Sequence, residues 1–588
     1  MSRFRALLSR LGSSDGLLAL VSTIGLLGAA AVTALARLEI ATTVLLLLSV
    51  LGEIVLARRG RSLREILDQA ALGIPMRFVL RVVVGVLAAT DLNDADALRA
   101  FVAVALVYAL ALCGRELHRE YRRVGPLRPM RSRNITGSPS ISVAPPPRVV
   151  EVVVTQLAVL APALLEAPAW LVGALGAAAI VYLAAVTLPD ARRSWRMRQA
   201  KRATGFTPPL RAVQDFIDSY RPEVVVHLSG PMGSAYQINT WLDALESLRQ
   251  PVMILLRDEA LFDTMRRTSL PTLELRDAGE FLQLDFHSVK VALYPSNTGN
   301  NIHLLRLPQI VSAFIGHGDS DKSASANPFS RVYDELWVAG EAGADRYRRS
   351  GLGVHEDQYR MVGRPQVHSI EVTPRLGDEE VSTVLYAPTW EGVNPGQEYS
   401  SIAAIGATLV SALLAADPPV RVIYKPHPFT GQRDAKYRDH DARIAALIDS
   451  AAQRSGVDHR VVRSGPIEHW FNQAAVLATD ISSVVSDFLA SEKPYAVFNH
   501  TDLDDEAFGD AYRSASGGII LGRDGRGIDE LVALVTRRTA DRRVEIRARL
   551  ATYLLGPPEM RTLESFQDAV DALVARSDAE RAIYREES

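Results

Sequence analysis

The chain has one cysteine, Cys113, in 588 residues. A single thiol excludes an internal disulfide framework and a cysteine-based zinc site. So little cysteine fits a reducing compartment. Net charge is nearly absent as well: 65 Lys and Arg against 67 Asp and Glu leave −2. That balance provides no bulk attraction to nucleic acid. Basic residues are also scarce in every second loop of the first 205 residues, where long apolar runs alternate with arginine clusters. The remainder has ordinary soluble composition, and the length predicts two or three domains.

Six apolar segments come first: Leu17–Ala36, Leu38–Ala57, Ile74–Thr90, Ala97–Cys113, Val149–Leu165 and Ala169–Leu188. Each approaches the roughly 20 residues that cross a bilayer. The first is not a signal peptide, because it lacks a small-residue cleavage site and a second apolar run follows at once. Arginines crowd before the first span and after the second, fourth and sixth, as in Arg58, Arg59, Arg61 and Arg64. The opposite loops hold little base. Basic loops stay cytoplasmic, so three helical hairpins with both ends in the cytoplasm are expected. Arg77 and Glu151 are expected to snorkel from the ends of their spans, and Arg81 to face protein or headgroups. Glu53 and Arg81 are the few ionisable residues that would suit transport. An anchor is the preferred reading. The basic, then Ser- and Pro-rich loop Arg115–Arg148 is expected to lie as a flexible strip on anionic headgroups.

Beyond the linker Thr204–Pro209, strands and helices alternate. Val224–Leu228, Val252–Leu256, Val289–Leu293 and Ile310–Ile315 read as strands, with a helix from about Tyr236 to Leu248. The pattern restarts with Thr383–Tyr386, Val420–Tyr424 and Arg460–Val462. Such alternation means parallel sheets with helices on both faces. The expected architecture is a membrane-helical domain (1–203) followed by two doubly wound α/β domains (204–375 and 376–588), the last ending in charged helices.

Leu477–Phe498 reads as strand, turn, helix and strand. Ser482 and Ser483 open a helix with apolar positions Val484, Val485, Phe488 and Leu489. Taken alone it reads first as an ordinary capped helix. Its N-terminus also suits a phosphate. Two further polar clusters stand at strand ends, where ligands of parallel sheets bind. One is Ile315-Gly-His-Gly-Asp-Ser-Asp-Lys322, with His317 between glycines. The other is Lys425-Pro-His427-Pro, which also reads as a structural turn. Two histidines, a lysine and hydroxyls suit phosphoryl chemistry on a nucleotide-linked substrate.

Tyr386-Ala-Pro-Thr-Trp390, Lys425-Pro-His-Pro428 and Thr479-Asp-Ile-Ser-Ser483, with His317-Gly-Asp-Ser-Asp-Lys322 before them, resemble the CDP-glycerol glycerophosphotransferase family of teichoic-acid primases and polymerases. The resemblance runs over about Val224–Phe498. It departs at Gly316, where the family has tryptophan, at Asp319-Ser-Asp321, at Ile481, and at Gly363-Arg-Pro-Gln366, a reduced form of a longer motif. It implies a GT-B fold and an enzyme of the cell envelope; the family's soluble members attach to the membrane peripherally, so the integral anchor read here is a further departure. The donor would be CDP-glycerol or a related CDP-polyol, the acceptor a lipid-linked glycan or polymer, and the product CMP. His317 and His427 would be catalytic. Lys425, Asp480, Ser482 and Ser483 would bind donor phosphate. Gly230, Gly233, Ser234, Asp319 and Lys322 are assigned to an acceptor or substrate loop. No metal or cofactor is assigned, and the partners are donor, acceptor and membrane lipids, without nucleic acid. Two other readings remain: another GT-B enzyme using a nucleotide sugar, and a non-catalytic scaffold for polymer export.

Overall fold

The computed structural model describes residues 20–59, 67, 72–88, 95–124, 130–137, 149–231, 233–317, 327–392 and 398–587. It divides into two compact units, 1–131 with 137–213, and 132–136 with 214–588.

The first unit contains helices Val21–Leu35, Glu39–Arg59, Ile74–Ala88, Ala95–Val124, Val149–Leu164 and Ala169–Thr204. They fall on the six expected apolar segments. Among the described residues, however, only three stretches are long and apolar enough to cross a membrane: Glu39–Ala57, Ala95–Arg119 and Ala169–Thr204. The expectation of six full spans is corrected to three candidates. Ile74–Ala88 has 15 residues and Val149–Leu164 has 16. At 1.5 Å per residue these reach about 22–24 Å, short of the roughly 30 Å hydrocarbon core.

Snorkelling is also corrected for Arg77. Arg77 and Arg81 are both 0 % exposed. Arg77 grips Glu53 with two parallel bonds, Nε to Oε1 at 2.9 Å and Nη2 to Oε2 at 2.8 Å. Arg81 donates to the same carboxylate at 2.8 Å, to Ser49 Oγ at 3.1 Å and to Gln156 Oε1 at 3.0 Å. Burying a guanidinium without partners costs far more than pairing it, so the helices turn these arginines onto the one glutamate they share.

In the second unit, strand order follows from the hydrophobic runs. The first sheet comprises β1 (Met130–Arg133), β2 (Val224–Leu228), β3 (Val252–Leu256), β4 (Thr272–Leu275), β5 (Val291–Tyr294), β6 (Val311–Phe314), β7 (Glu335–Val338) and β8 (Tyr359–Met361). Its order is β1-β4-β3-β2-β5-β6-β7-β8. Pairings from β2 to β8 are parallel. The second sheet comprises β9 (Thr383–Ala387), β10 (Arg421–Tyr424), β11 (Arg460–Val461), β12 (Val476–Thr479), β13 (Tyr495–Phe498) and β14 (Ile519–Leu521). It runs β11-β10-β9-β12-β13-β14, all parallel. Central strands such as β2, β3 and β9 are buried on both faces, which is why they read as unbroken apolar runs.

In each sheet the order reverses once, between β2 and β5 and between β9 and β12. Ligands of open parallel sheets bind beyond the strand carboxyl ends at such a reversal. The first points at Ser229–Ser234 and Pro295, the second at Pro388–Trp390 and Asp480–Ser483.

Three features depart from the sequence reading. The segment Ser132–Thr136, expected on headgroups with the rest of its loop, belongs to this unit. Arg133 donates to Phe262 O at 2.7 Å and its guanidinium lies 4.2 Å from the centre of the Phe262 ring. Asn134 donates to Thr268 O at 2.9 Å. The expected helix from Tyr236 breaks into Tyr236–Asn239 and Leu242–Glu246 around Trp241. Finally, the last helix, Leu563–Glu587, returns to the first sheet, where Phe566, Val570 and Leu573 enter its core.

That return needs glycine at a crossing point. Gly363 has φ +71°, and a Cβ there would stand 1.8 Å from Met560 O. Gly363→Ala combines a left-handed backbone with a backbone clash, and a loss of more than about 2 kcal/mol is expected. Thermal unfolding of the full chain in detergent checks this. An unchanged melting temperature would mean that the crossing yields freely.

Candidate functional site

His317 follows β6, at the turn Ile315-Gly-His. Gly316 has φ +60°, and its carbonyl accepts from Trp241 Nε1 at 2.7 Å. The residue before this histidine is glycine, and an indole arrives from elsewhere in the chain. His317 Nδ1 lies 3.0 Å from Pro295 O. A carbonyl only accepts, so Nδ1 carries the proton and Nε2 holds the lone pair. Nε2 faces the Tyr236 hydroxyl at 3.4 Å. Burial first, and the Arg364 charge after it, hold the imidazole below its ordinary pKa, against the Pro295 bond. His317 is therefore a neutral base with a usable lone pair.

His427 follows β10. Its Nδ1 accepts from the Phe429 N–H at 3.0 Å, so the proton sits on Nε2. Its ring stacks on Trp390 with centroids 6.1 Å apart and planes at 20°. Thus the two histidines present opposite faces of the imidazole to the surroundings, a lone pair at His317 and an N–H at His427. Lys425 Nζ donates to Ser464 O at 3.3 Å, and desolvation lowers its pKa.

The loop after β2 links the two clusters. Gly230 N and Ser229 Oγ both donate to Asp258 Oδ2, at 2.9 and 2.7 Å. Gly233 has φ +94°, and a Cβ there would stand 3.2 Å from the edge of the Phe429 ring. Ser234 is buried and begins the turn into the Tyr236 helix. One short loop therefore reaches His317 through Tyr236 and the His427 turn through Phe429. Asp319 and Lys322 lie outside the described residues.

At the second reversal, Ser482 is the N-cap of helix Ser483–Phe488, and no side chain caps it. The expected capping by Ser and Asp does not form. Ser482 Oγ turns to Asp480 O at 3.4 Å. Asp480, expected among the phosphate-binding residues, is 0 % exposed. Its oxygens accept from Thr389 N at 2.8 Å and Ser401 N at 3.1 Å. A buried carboxylate aimed at backbone N–H groups holds the loops together and would repel a phosphate. Ser482 and Ser483 beside it are partly exposed.

Three residues were not singled out in the sequence. Tyr236 is one. Arg364 is another; it holds Asp487 of the Ser483 helix at 2.8 Å and lies close enough to influence His317. Glu468 is the third, its carboxyl raised chiefly by burial. Arg364 had a signal in the reduced Gly363-Arg-Pro-Gln366 motif. The other two had none, because only the fold brings them to the strand ends.

Residues 364–512 match the family model described as CDP-Glycerol:Poly(glycerophosphate) glycerophosphotransferase. This part of the chain is a glycerophosphotransferase-like transferase domain. It spans β9 to β13 and contains His427, Asp480 and both serines. Among solved structures, the wall teichoic acid polymerase TagF is 14 % identical, covering 66 % of this chain and 98 % of its own, with TM-score 0.40. A glycosyltransferase from Rickettsia africae ESF-5 is 10 % identical over 60 % of this chain and 98 % of its own, with TM-score 0.39. UDP-GlcNAc 2-epimerase from Neisseria meningitidis is 12 % identical over 60 % of this chain and 100 % of its own, with TM-score 0.37. No curated protein sequence matches the chain.

Proposed function

We propose that the chain transfers a polyol phosphate from CDP-glycerol, or a related CDP-polyol, to a hydroxyl of a lipid-linked glycan or teichoic-acid-like polymer. The acceptor oxygen attacks the distal phosphorus, and the bond from that phosphorus to the oxygen of CMP breaks. His317 Nε2 takes the acceptor proton. His427 Nε2–H and Lys425 stabilise the phosphate that leaves with CMP, and Ser482 and Ser483 hold the diphosphate. The observation that carries this reading is the opposite tautomers of the two histidines, one suited to accept a proton and one to donate a hydrogen bond. The family match over the donor side supports the choice of donor.

The apolar helices anchor the enzyme, with the transferase facing the cytoplasm. Confinement beside a lipid-linked acceptor raises the effective concentration of the pair. The test is CMP release from CDP-glycerol by full-length protein in detergent with native membrane lipid. Release that requires the lipid acceptor supports the proposal. Release from a nucleotide sugar but not from CDP-glycerol or CDP-ribitol would overturn the donor.

A further inference from the structure

One face of the first sheet carries hydrogen-bond donors that find no acceptor. Side chains alternate along a strand. Val224, Val226 and Leu228 of β2 enter the main core of this domain, so His227 lies on the opposite face. The same alternation brings Tyr294 of β5 and Arg257, which follows β3, to that face. His227 and Tyr294 are 0 % exposed and Arg257 is 3 % exposed. The Arg257 guanidinium lies 4.6 Å from the centre of the Phe281 ring and donates through Nη2 to Arg276 O at 3.0 Å. Its Nε and Nη1 have no partner. The Tyr294 hydroxyl has none either, while His227 leans on the Asn301 side chain and His303 on the Asn300 backbone. The nearest carboxylates are engaged elsewhere. Asp258 holds Ser229 and Gly230, and Asp277 Oδ1 accepts from Glu280 N at 2.8 Å.

A buried guanidinium with unmet N–H groups is costly, as is a buried hydroxyl without a partner. These groups are not scattered. They sit at the carboxyl ends of β2, β3 and β5, at the reversal where ligands bind. Tyr294 is followed directly by Pro295, whose carbonyl orients His317. His303 is partly exposed, at the rim of the buried group.

We propose that Arg257, His227, Tyr294 and His303 form a phosphate-binding subsite, here in its closed form, that takes a phosphodiester of the acceptor next to the attacking hydroxyl. Burial, and then the Arg257 charge, push His227 down to about 3 against its bond with Asn301, so it supplies an N–H and no charge. Arg257 is then the cation of the group, and Asp258 and Asp277 lie near enough to act on it. With those carboxylates beside a single guanidinium, a singly charged diester is accommodated better than a dianionic phosphate. Only the identity of the molecule bearing the diester rests on the transferase reading.

The test is calorimetric titration of the full-length protein in detergent with dimethyl phosphate, and separately with inorganic phosphate. Saturable diester binding is expected, weakened at least tenfold in Arg257→Gln. Tyr294→Phe removes one oxygen from the same group with little disturbance of packing, and a several-fold loss is expected there too. The KM for acceptor should rise in both variants while the KM for donor stays. Binding unchanged in both variants, no saturable binding by the unmodified chain, or tighter binding of inorganic phosphate would each overturn the proposal. Diester binding needs no turnover, so absent CMP release with intact binding would sink the transferase reading and leave the subsite standing.

Discussion

His317→Ala should cut CMP release by about a hundred- to ten-thousand-fold, the range general-base catalysis supplies. The geometry makes a sharper demand than the loss itself. With Nδ1–H fixed on Pro295 O, only Nε2 can accept the proton, and it does so only while the ring is neutral. Burial and Arg364 lower the pKa, so protonation occurs at lower pH than for a free histidine. The acid limb of kcat/KM should therefore have its midpoint below about 6.5. The stability consequence has the same sign. The folded pKa is depressed, so this residue's contribution is fully present above about 6.5 and falls as the pH drops from there toward the folded value. Full activity in His317→Ala, or an acid limb above about 6.5, would remove His317 from the role of base and leave His427 as the candidate.

The parallel sheets were legible because fully buried strands are written as short apolar runs. Val224–Leu228, Val252–Leu256 and Thr383–Tyr386 fell within a residue of the observed strands. β4, β7 and β8 escaped because Glu274, Glu335 and Arg360 interrupt them. Glu274, for example, pairs with Arg276 at 2.8 Å. The histidines were legible from their glycine and proline neighbours, but their tautomers were not, since Pro295 lies 22 residues from His317. Asp480 illustrates the limit of motif reading. Its place before two serines suggested a ligand contact or a loop-orienting role, and its partners are the N–H groups of Thr389 and Ser401, distant in sequence. The last helix was legible as a helix, but nothing local told it to pack on the first domain.

The membrane half yields the other large effect. Glu53→Ala should be more damaging than any surface change, because it takes the shared carboxylate from two guanidiniums that are 0 % exposed. Removing one partner of a buried ion pair typically costs about 3–5 kcal/mol, and here one carboxylate serves Arg77 and Arg81 together. Folded protein recovered in detergent, and its melting temperature, should both fall sharply. Glu53→Gln keeps the shape and one acceptor oxygen, and it should fall between. The decisive variant replaces all three, Glu53, Arg77 and Arg81, with leucine. Buried charge clusters can often be exchanged for apolar side chains without loss of stability. If the cluster only fastens helices of an anchor, that triple variant should fold and retain lipid-dependent CMP release. A triple variant that folds but loses release would assign the cluster a part in handling the lipid-linked acceptor, and the anchor reading would fall.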